Sequence, residues 1–142
     1  MTLEYLDERS AEELMNRLDI APSENNLQNK VVKHLRELEA VGKLTFFAVP
    51  NGGKRRGREA AQMKNRGLRP GVPDLVVLVP SVTLPKFGQI ATYHAAPTTV
   101  FLELKTDKGK LSAGQIEFRS KVEKMGFSYF VIRSVKDLAE IF

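Results

Sequence analysis

Over residues 100–105 one row of positions is wholly apolar and the row alternating with it carries the charges. Val100, Leu102 and Leu104 fall on one side of an extended chain, and Phe101, Glu103 and Lys105 on the other. A strand here sets a carboxylate and an amine side by side, opposite an apolar row. Leu75-Val76-Val77-Leu78-Val79 is apolar throughout, the pattern of a strand buried on both faces, and it opens at Asp74. Residues 44–49 are β-prone and run into the turn cluster Pro50-Asn51-Gly52-Gly53, and residues 127–132 are strand-like. Helical spacing predicts a helix from Pro22-Ser23, with Leu27, Val31, Leu35 and Leu38 recurring at intervals of three and four until Gly42 stops it. Ser112-Ala113-Gly114-Gln115 is a capping-box pattern opening a helix with Ile116, Phe118, Val122 and Met125, ended by Gly126. Ser134 and Asp137 cap a last short helix carrying Leu138, Ile141 and Phe142.

Three weaker segments fill the gaps. Ser10-Ala11-Glu12-Glu13 with Leu14, Met15 and Leu18 predicts a short accessory helix within residues 1–21, covering a core or a partner subunit. Residues 58–66 form a short basic helix stopped by Gly67, and Arg69-Pro70-Gly71-Val72-Pro73 is a rigid approach to Asp74. Residues 80–97 hold Pro80, Pro85 and Pro97 with no strong period, and read as an irregular, partly mobile hairpin connection. A helix crossing between the last two strands makes them parallel, and the early strands suit antiparallel pairing. The expectation is an α/β fold, a mixed sheet with helices on both faces.

Charge changes the picture. The 142 residues suit one domain, with residues 22–142 as its body, and they carry a formal net charge of +5. Residues 54–69 alone hold Lys54, Arg55, Arg56, Arg58, Lys64, Arg66 and Arg69 against the single acid Glu59, so all the basic excess sits in one segment. Such a chain meets a polyanion at one place. Cysteine is absent, which excludes disulfides and thiolate metal sites. No stretch reaches the roughly 18 to 20 apolar residues of a membrane span, and no secretory pattern opens the chain, so a soluble cytoplasmic protein is the simplest reading.

If the strands at 75–79 and 100–105 are neighbours, Asp74 and Glu103 meet at one end of the sheet with Lys105 alongside. Two converging carboxylates repel unless a cation lies between them, and Mg²⁺ is the usual hard cation for such oxygens. Glu24 and Gln28 fall on the apolar side of their helix; alternatively Glu24 is a solvated first-turn residue favouring the helix dipole. Each of these residues also has a plain reading. Asp74 after Pro73 suits a turn, and Glu103 with Lys105 suits a solvated pair on an edge strand worth under about 1 kcal/mol. Gln115 suits a capping box, and Asn51-Gly52-Gly53 a turn. His34 and His94 have no partner pattern.

The ordered set Ser23-Glu24 with Gln28, Pro50-Asn51-Gly52-Gly53, Gly71-Val72-Pro73-Asp74, Glu103-Leu104-Lys105 and Gln115 resembles the VRR-NUC family, a branch of the PD-(D/E)XK nuclease superfamily. The resemblance covers about residues 23–132. It implies a restriction-endonuclease-like fold with an αβββαβ core and a Mg²⁺-dependent deoxyribonuclease in which Mn²⁺ substitutes. In that reading Asp74 and Glu103 ligate the metal with the Leu104 carbonyl, and Lys105 polarises the attacking water or steadies the phosphate. Glu24 holds a second metal or a water, and Gln115 lies near the site. Asn51, Lys54, Arg55, Arg56, Arg58, Lys64, Arg66 and Arg69 contact DNA. Small stand-alone members resemble Holliday-junction resolvases, so a homodimer cutting four-way junctions is the preferred expectation. Cleavage of ordinary duplex or flapped DNA, and a DNA-binding module without catalysis, are the alternatives. By association, a phage or mobile element is a plausible setting.

Overall fold

The computed structural model describes residues 23–50, 58–85 and 92–142. The expected accessory helix in residues 1–21, and Asn51, Lys54, Arg55 and Arg56, lie outside the described residues. The elements are α1 (Glu24–Ala40), β1 (Thr45–Ala48), α2 (Arg58–Asn65), β2 (Leu75–Val79), β3 (Val82–Pro85), β4 (Thr92–Ala95), β5 (Thr98–Leu104), α3 (Ala113–Lys124), β6 (Ser128–Ile132) and α4 (Val135–Ala139).

Four strands form one sheet in the order β1-β2-β5-β6. The β1–β2 and β2–β5 pairs are antiparallel, and β5–β6 is parallel across the α3 crossover. The mixed sheet expected from the pattern is therefore present. β5 lies inside it, so Glu103 is not on an edge strand and the plain reading of a solvated pair does not hold: Glu103 is 1% exposed.

The alternation along β5 sends its two rows of side chains into different surroundings. Val100, Leu102 and Leu104 join Leu75 and Val77, paired with them across β2, in an apolar core with Val31 and Leu35 of α1, Leu44, Ile132 and Leu138 of α4. The three- and four-residue spacing of Leu27, Val31, Leu35 and Leu38 is what turns α1 toward this face. On the opposite face Phe101 meets Phe118 of α3 and Phe127 edge to face, with ring centroids 5.5 and 6.0 Å apart. Helices therefore cover both faces.

Residues 80–97 differ from the expectation. β3 and β4 pair antiparallel, Val82 with Ala95 through Pro85 with Thr92, as a separate two-stranded sheet. The connection is therefore not irregular. Its prolines stand at or beyond strand ends, where no ladder hydrogen bond is lost, while Val82, Thr83, Thr92 and Tyr93 are β-prone types. Among the described residues β3 and β4 form a sheet of their own, apart from the four-stranded one.

Gly71 adopts φ +79°, and a Cβ built on it would fall 2.4 Å from the Gly114 carbonyl carbon and 2.9 Å from the Gln115 nitrogen. The loop before Asp74 thus lies directly against the first turn of α3. Only a glycine combines that φ with that approach.

Candidate active site

Asp74 stands one residue before β2. Leu75 pairs with Leu102, so the same register carried one step further sets Asp74 across from Glu103 on the face shared with Phe101. Val49 N–H donates to the Asp74 carbonyl at 2.9 Å, and the Asp74 side chain, half-buried, accepts from Leu104 N–H through Oδ2 at 2.8 Å. Asp74 is therefore more than a turn residue: it joins the ends of β1, β2 and β5.

Glu103 Oε1 has two donors, Lys105 Nζ at 3.1 Å and Gln115 Nε2 at 2.6 Å. Its Oε2 is buried and has no hydrogen-bond partner. The Glu103 carboxyl is pushed up from 4.5 to about 7, first by burial and next by the Asp74 charge; Lys105 pulls it back and Glu24 adds a smaller upward push. A buried carboxylate beside a second carboxylate is costly to ionise without a compensating cation.

Gln115 does two things at once. Its Oε1 accepts from Ser112 N–H at 2.8 Å and its own N–H donates to Ser112 Oγ at 3.2 Å, completing the capping box of α3. With the amide oxygen committed to the cap, Nε2 is left facing Glu103. The capping reading holds for this residue, the same side chain also reaches Glu103, and the cap fixes which end of the amide the carboxylate meets.

Glu24 is exposed in the first turn of α1, whose N-cap Ser23 accepts from Asn26 N–H at 3.1 Å. It is solvated rather than buried in the apolar stripe, yet it lines the cleft. That cleft, about 690 Å³, is lined by Glu24, Asp74, Glu103, Lys105 and Gln115 together with Ala60, Met63 and Lys64 of α2 and Arg69. A neighbouring groove of about 610 Å³ shares Glu24, Asp74 and Pro50 and includes Gln28 and Leu104. The structure thus brings together all five expected catalytic residues with two of the expected DNA-contacting cations, Lys64 and Arg69. Arg69 lies 5.8 Å from the Phe118 ring centre. Arg58 and Arg66 are exposed on the same segment but do not line the cleft.

Among the described residues, no group of three or more His, Cys, Asp or Glu side chains is gathered closely enough to hold a metal ion. Asp74 and Glu103 form a pair, and Glu24 approaches from a separate element. The pair still suits a hard divalent cation: both groups offer oxygen, one buried oxygen is unpartnered, and the chain has no cysteine to draw a softer metal.

Arg133 is a supporting residue that the sequence pattern did not signal. Its guanidinium donates to the carbonyls of Thr106 and Asp107, while Lys105 N–H donates to the Ile132 carbonyl at 3.0 Å. The turn after Lys105 is thereby tied to the end of β6. No helix among the described residues is long and apolar enough to cross a membrane.

No curated protein matches the chain. A solved structure described as a VRR_NUC domain protein superposes with a TM-score of 0.53 at 17% identity, covering 85% of each chain, a likeness in fold. The sequence profile of the VRR-NUC domain matches residues 10–136, beginning inside the segment assigned above to the accessory helix. With nearly the whole chain matched and a mixed sheet bringing Asp74, Glu103, Lys105 and Gln115 into one cleft, this protein belongs to the VRR-NUC family and has a nuclease-type function on DNA.

Proposed function

We propose that the protein is a metal-dependent DNA endonuclease acting on branched duplexes, four-way junctions above all, as a homodimer. The observation that carries the metal-dependent reading is the paired Asp74 and Glu103, one carboxyl raised by burial and by its neighbour, beside Lys105 in a cleft that Lys64 and Arg69 also line. Such a pair favours a bound cation over two bare charges.

Asp74, Glu103 and the Leu104 carbonyl would hold Mg²⁺ or Mn²⁺, with Glu24 contributing to a second ion or a water. The ion supplies Lewis-acid activation of water and charge compensation at the phosphate. The chain's own groups do the rest. Lys105 places a compact positive charge where the phosphate accumulates negative charge in the transition state. Gln115 and Lys105 both bond Glu103 Oε1 and so orient the carboxylate. Lys64 and Arg69 lie where a phosphodiester backbone entering the cleft would pass, and such contacts position a duplex without reading its bases. The junction preference and the dimer rest on the resemblance of small stand-alone family members to resolvases.

The test is cleavage of an end-labelled four-way junction against a linear duplex of matching sequence, in Mg²⁺ or Mn²⁺, with Asp74→Ala as control. Symmetric metal-dependent nicks near the branch point, absent in the variant, are expected. Equal cleavage of both substrates would move the reading to ordinary duplex or flapped DNA, and binding without cleavage to a DNA-binding module. Sedimentation at the monomer mass of 15.9 kDa with and without DNA would remove the dimer.

A further inference from the structure

Two buried side-chain polar atoms among the described residues have no hydrogen-bond partner: Oε2 of Glu103 and the hydroxyl of Tyr129. Both residues are more than nine-tenths buried, at 1% and 4% exposure. They are also neighbours by register. Tyr129 of β6 pairs with Phe101 of β5, so it shares the face on which Glu103 lies two residues further along, within diagonal reach of a long aromatic side chain. The same helix covers both: Gln115 of α3 bonds Glu103, and one turn on, the Arg119 guanidinium lies 5.6 Å from the Tyr129 ring centre, with its Nε bonded to Glu123 at 2.8 Å.

Buried polar groups are almost always satisfied, and a pair of orphans on one side of one site is the situation in which an internal water is found. A phenol and a carboxylate are complementary, one able to donate and the other only to accept when ionised. No direct hydrogen bond joins them, and one water between them would satisfy both.

We propose that Tyr129 is a positioning residue of this nuclease site, its hydroxyl donating through one buried water to Glu103 Oε2 and holding that carboxylate in place. The inference rests on the nuclease reading above for its catalytic consequence, though not for the bridge itself. The charged groups around the pair are Asp74 and Lys105 at the strand ends, Glu24 from α1, and Arg119 and Glu123 from α3. Burial, and then the Glu103 charge, push the Tyr129 phenol up from its ordinary value of 10, so it remains a proton donor throughout the working range. Lys105 and Gln115 fix one oxygen of the carboxylate, and the bridge fixes the torsion of the other, so that both cannot rotate away together.

Tyr129→Phe in the full chain separates the outcomes, because it removes the hydroxyl and keeps the ring. Melted without metal, the variant is expected to lose about 3 °C, the scale of one buried hydrogen bond in a chain this size. In a Glu103→Met background, where no acceptor remains, the same change should cost nothing. With DNA and Mg²⁺, kcat should fall about tenfold while KM stays within about twofold. A variant that melts at or above the wild-type temperature and cuts at the wild-type rate would overturn the proposal. So would an equal loss in the Glu103→Met background, which would place the partner of the hydroxyl elsewhere. If the wild type cuts no DNA but the Glu103-dependent melting difference persists, the nuclease reading and the catalytic role fall together and the bridge stands.

Discussion

The two faces of the central sheet are made by the same strands and do opposite things. Toward α1 and α4, Leu75, Val77, Val100, Leu102, Leu104 and Ile132 pack with Val31, Leu35 and Leu138 in a core without a polar side chain. Toward α3, Phe101 and Tyr129 surround a buried carboxylate with one oxygen unpartnered. One residue of offset along β5 separates a methylene environment from a charged one. The first face supplies burial worth roughly 25 cal/mol per Å² removed from water. The second gives up part of that stabilisation to keep Glu103 and Asp74 close together in a low-dielectric place. Stability and chemistry are thus divided by the pleat rather than by domain.

That division is open to attack at several points. The largest effect is expected from Asp74→Ala, which removes one carboxylate and frees the Leu104 N–H it accepts from. Cleavage should fall at least about a thousandfold, roughly 4 kcal/mol in barrier, with the circular-dichroism spectrum retained. Activity within tenfold of wild type would mean that the α3 face is not the reactive one. On the other face, Leu35→Ala should lower unfolding free energy by about 3 kcal/mol, as a large-to-small change at a fully buried site does. Single-turnover cleavage by the folded fraction should change less than about threefold, and a large loss in rate would show the two faces to be coupled.

Glu103→Gln sharpens the comparison because stability and activity should move in opposite directions. The folded-state pKa is raised from 4.5 to about 7, so the native state binds this proton more tightly than the unfolded chain does. The stability it contributes is present in full below about pH 4.5 and is lost as pH rises through about 7. At pH 8 without metal, the uncharged glutamine should therefore unfold about 1 to 3 kcal/mol later than wild type, and the gap should close toward pH 4. A denaturation series across pH decides this; a variant less stable at pH 8 would contradict the burial cost. Added Mg²⁺ should narrow the gap by favouring the ionised wild-type carboxyl, while cleavage by the variant is lost. The smallest change is expected from Ser112→Ala. Loss of the cap should cost about 1 kcal/mol, and kcat should drop a fewfold as the Gln115 amide loses its anchor. A stability loss with an unchanged kcat would reduce the capping box to a helix device alone.

Much of this was legible in the residues because the signals are local. The alternation of Val100, Leu102 and Leu104 with Phe101, Glu103 and Lys105 marks β5 and assigns its two faces, the stripe of Leu27, Val31, Leu35 and Leu38 marks α1, and Ser112 with Gln115 marks the start of α3. What the pattern left open depends on strand order and register. Whether Glu103 was a solvated edge residue or a buried one turned on β6 pairing outside β5, a contact between distant stretches. The β3–β4 ribbon escaped notice because prolines near strand ends resemble those in irregular chain. Tyr129 lies in an apolar run and reads as core; its hydroxyl gains meaning only once parallel pairing sets it diagonal to Glu103.

Gly71 and Gly114 touch, yet they are not interchangeable. A methyl on Gly114 would meet Gly71 at 3.6 Å, an ordinary contact, whereas a methyl on Gly71 would overlap the backbone of α3. The sequence can therefore vary at one of these positions and is fixed at the other. Because the carboxylate of Asp74 follows three residues after the fixed glycine and the amide of Gln115 one residue after its partner, a single backbone abutment helps set the relative position of two groups forty-one positions apart. Loop and helix meet there backbone to backbone, a closeness that only the absence of a side chain allows.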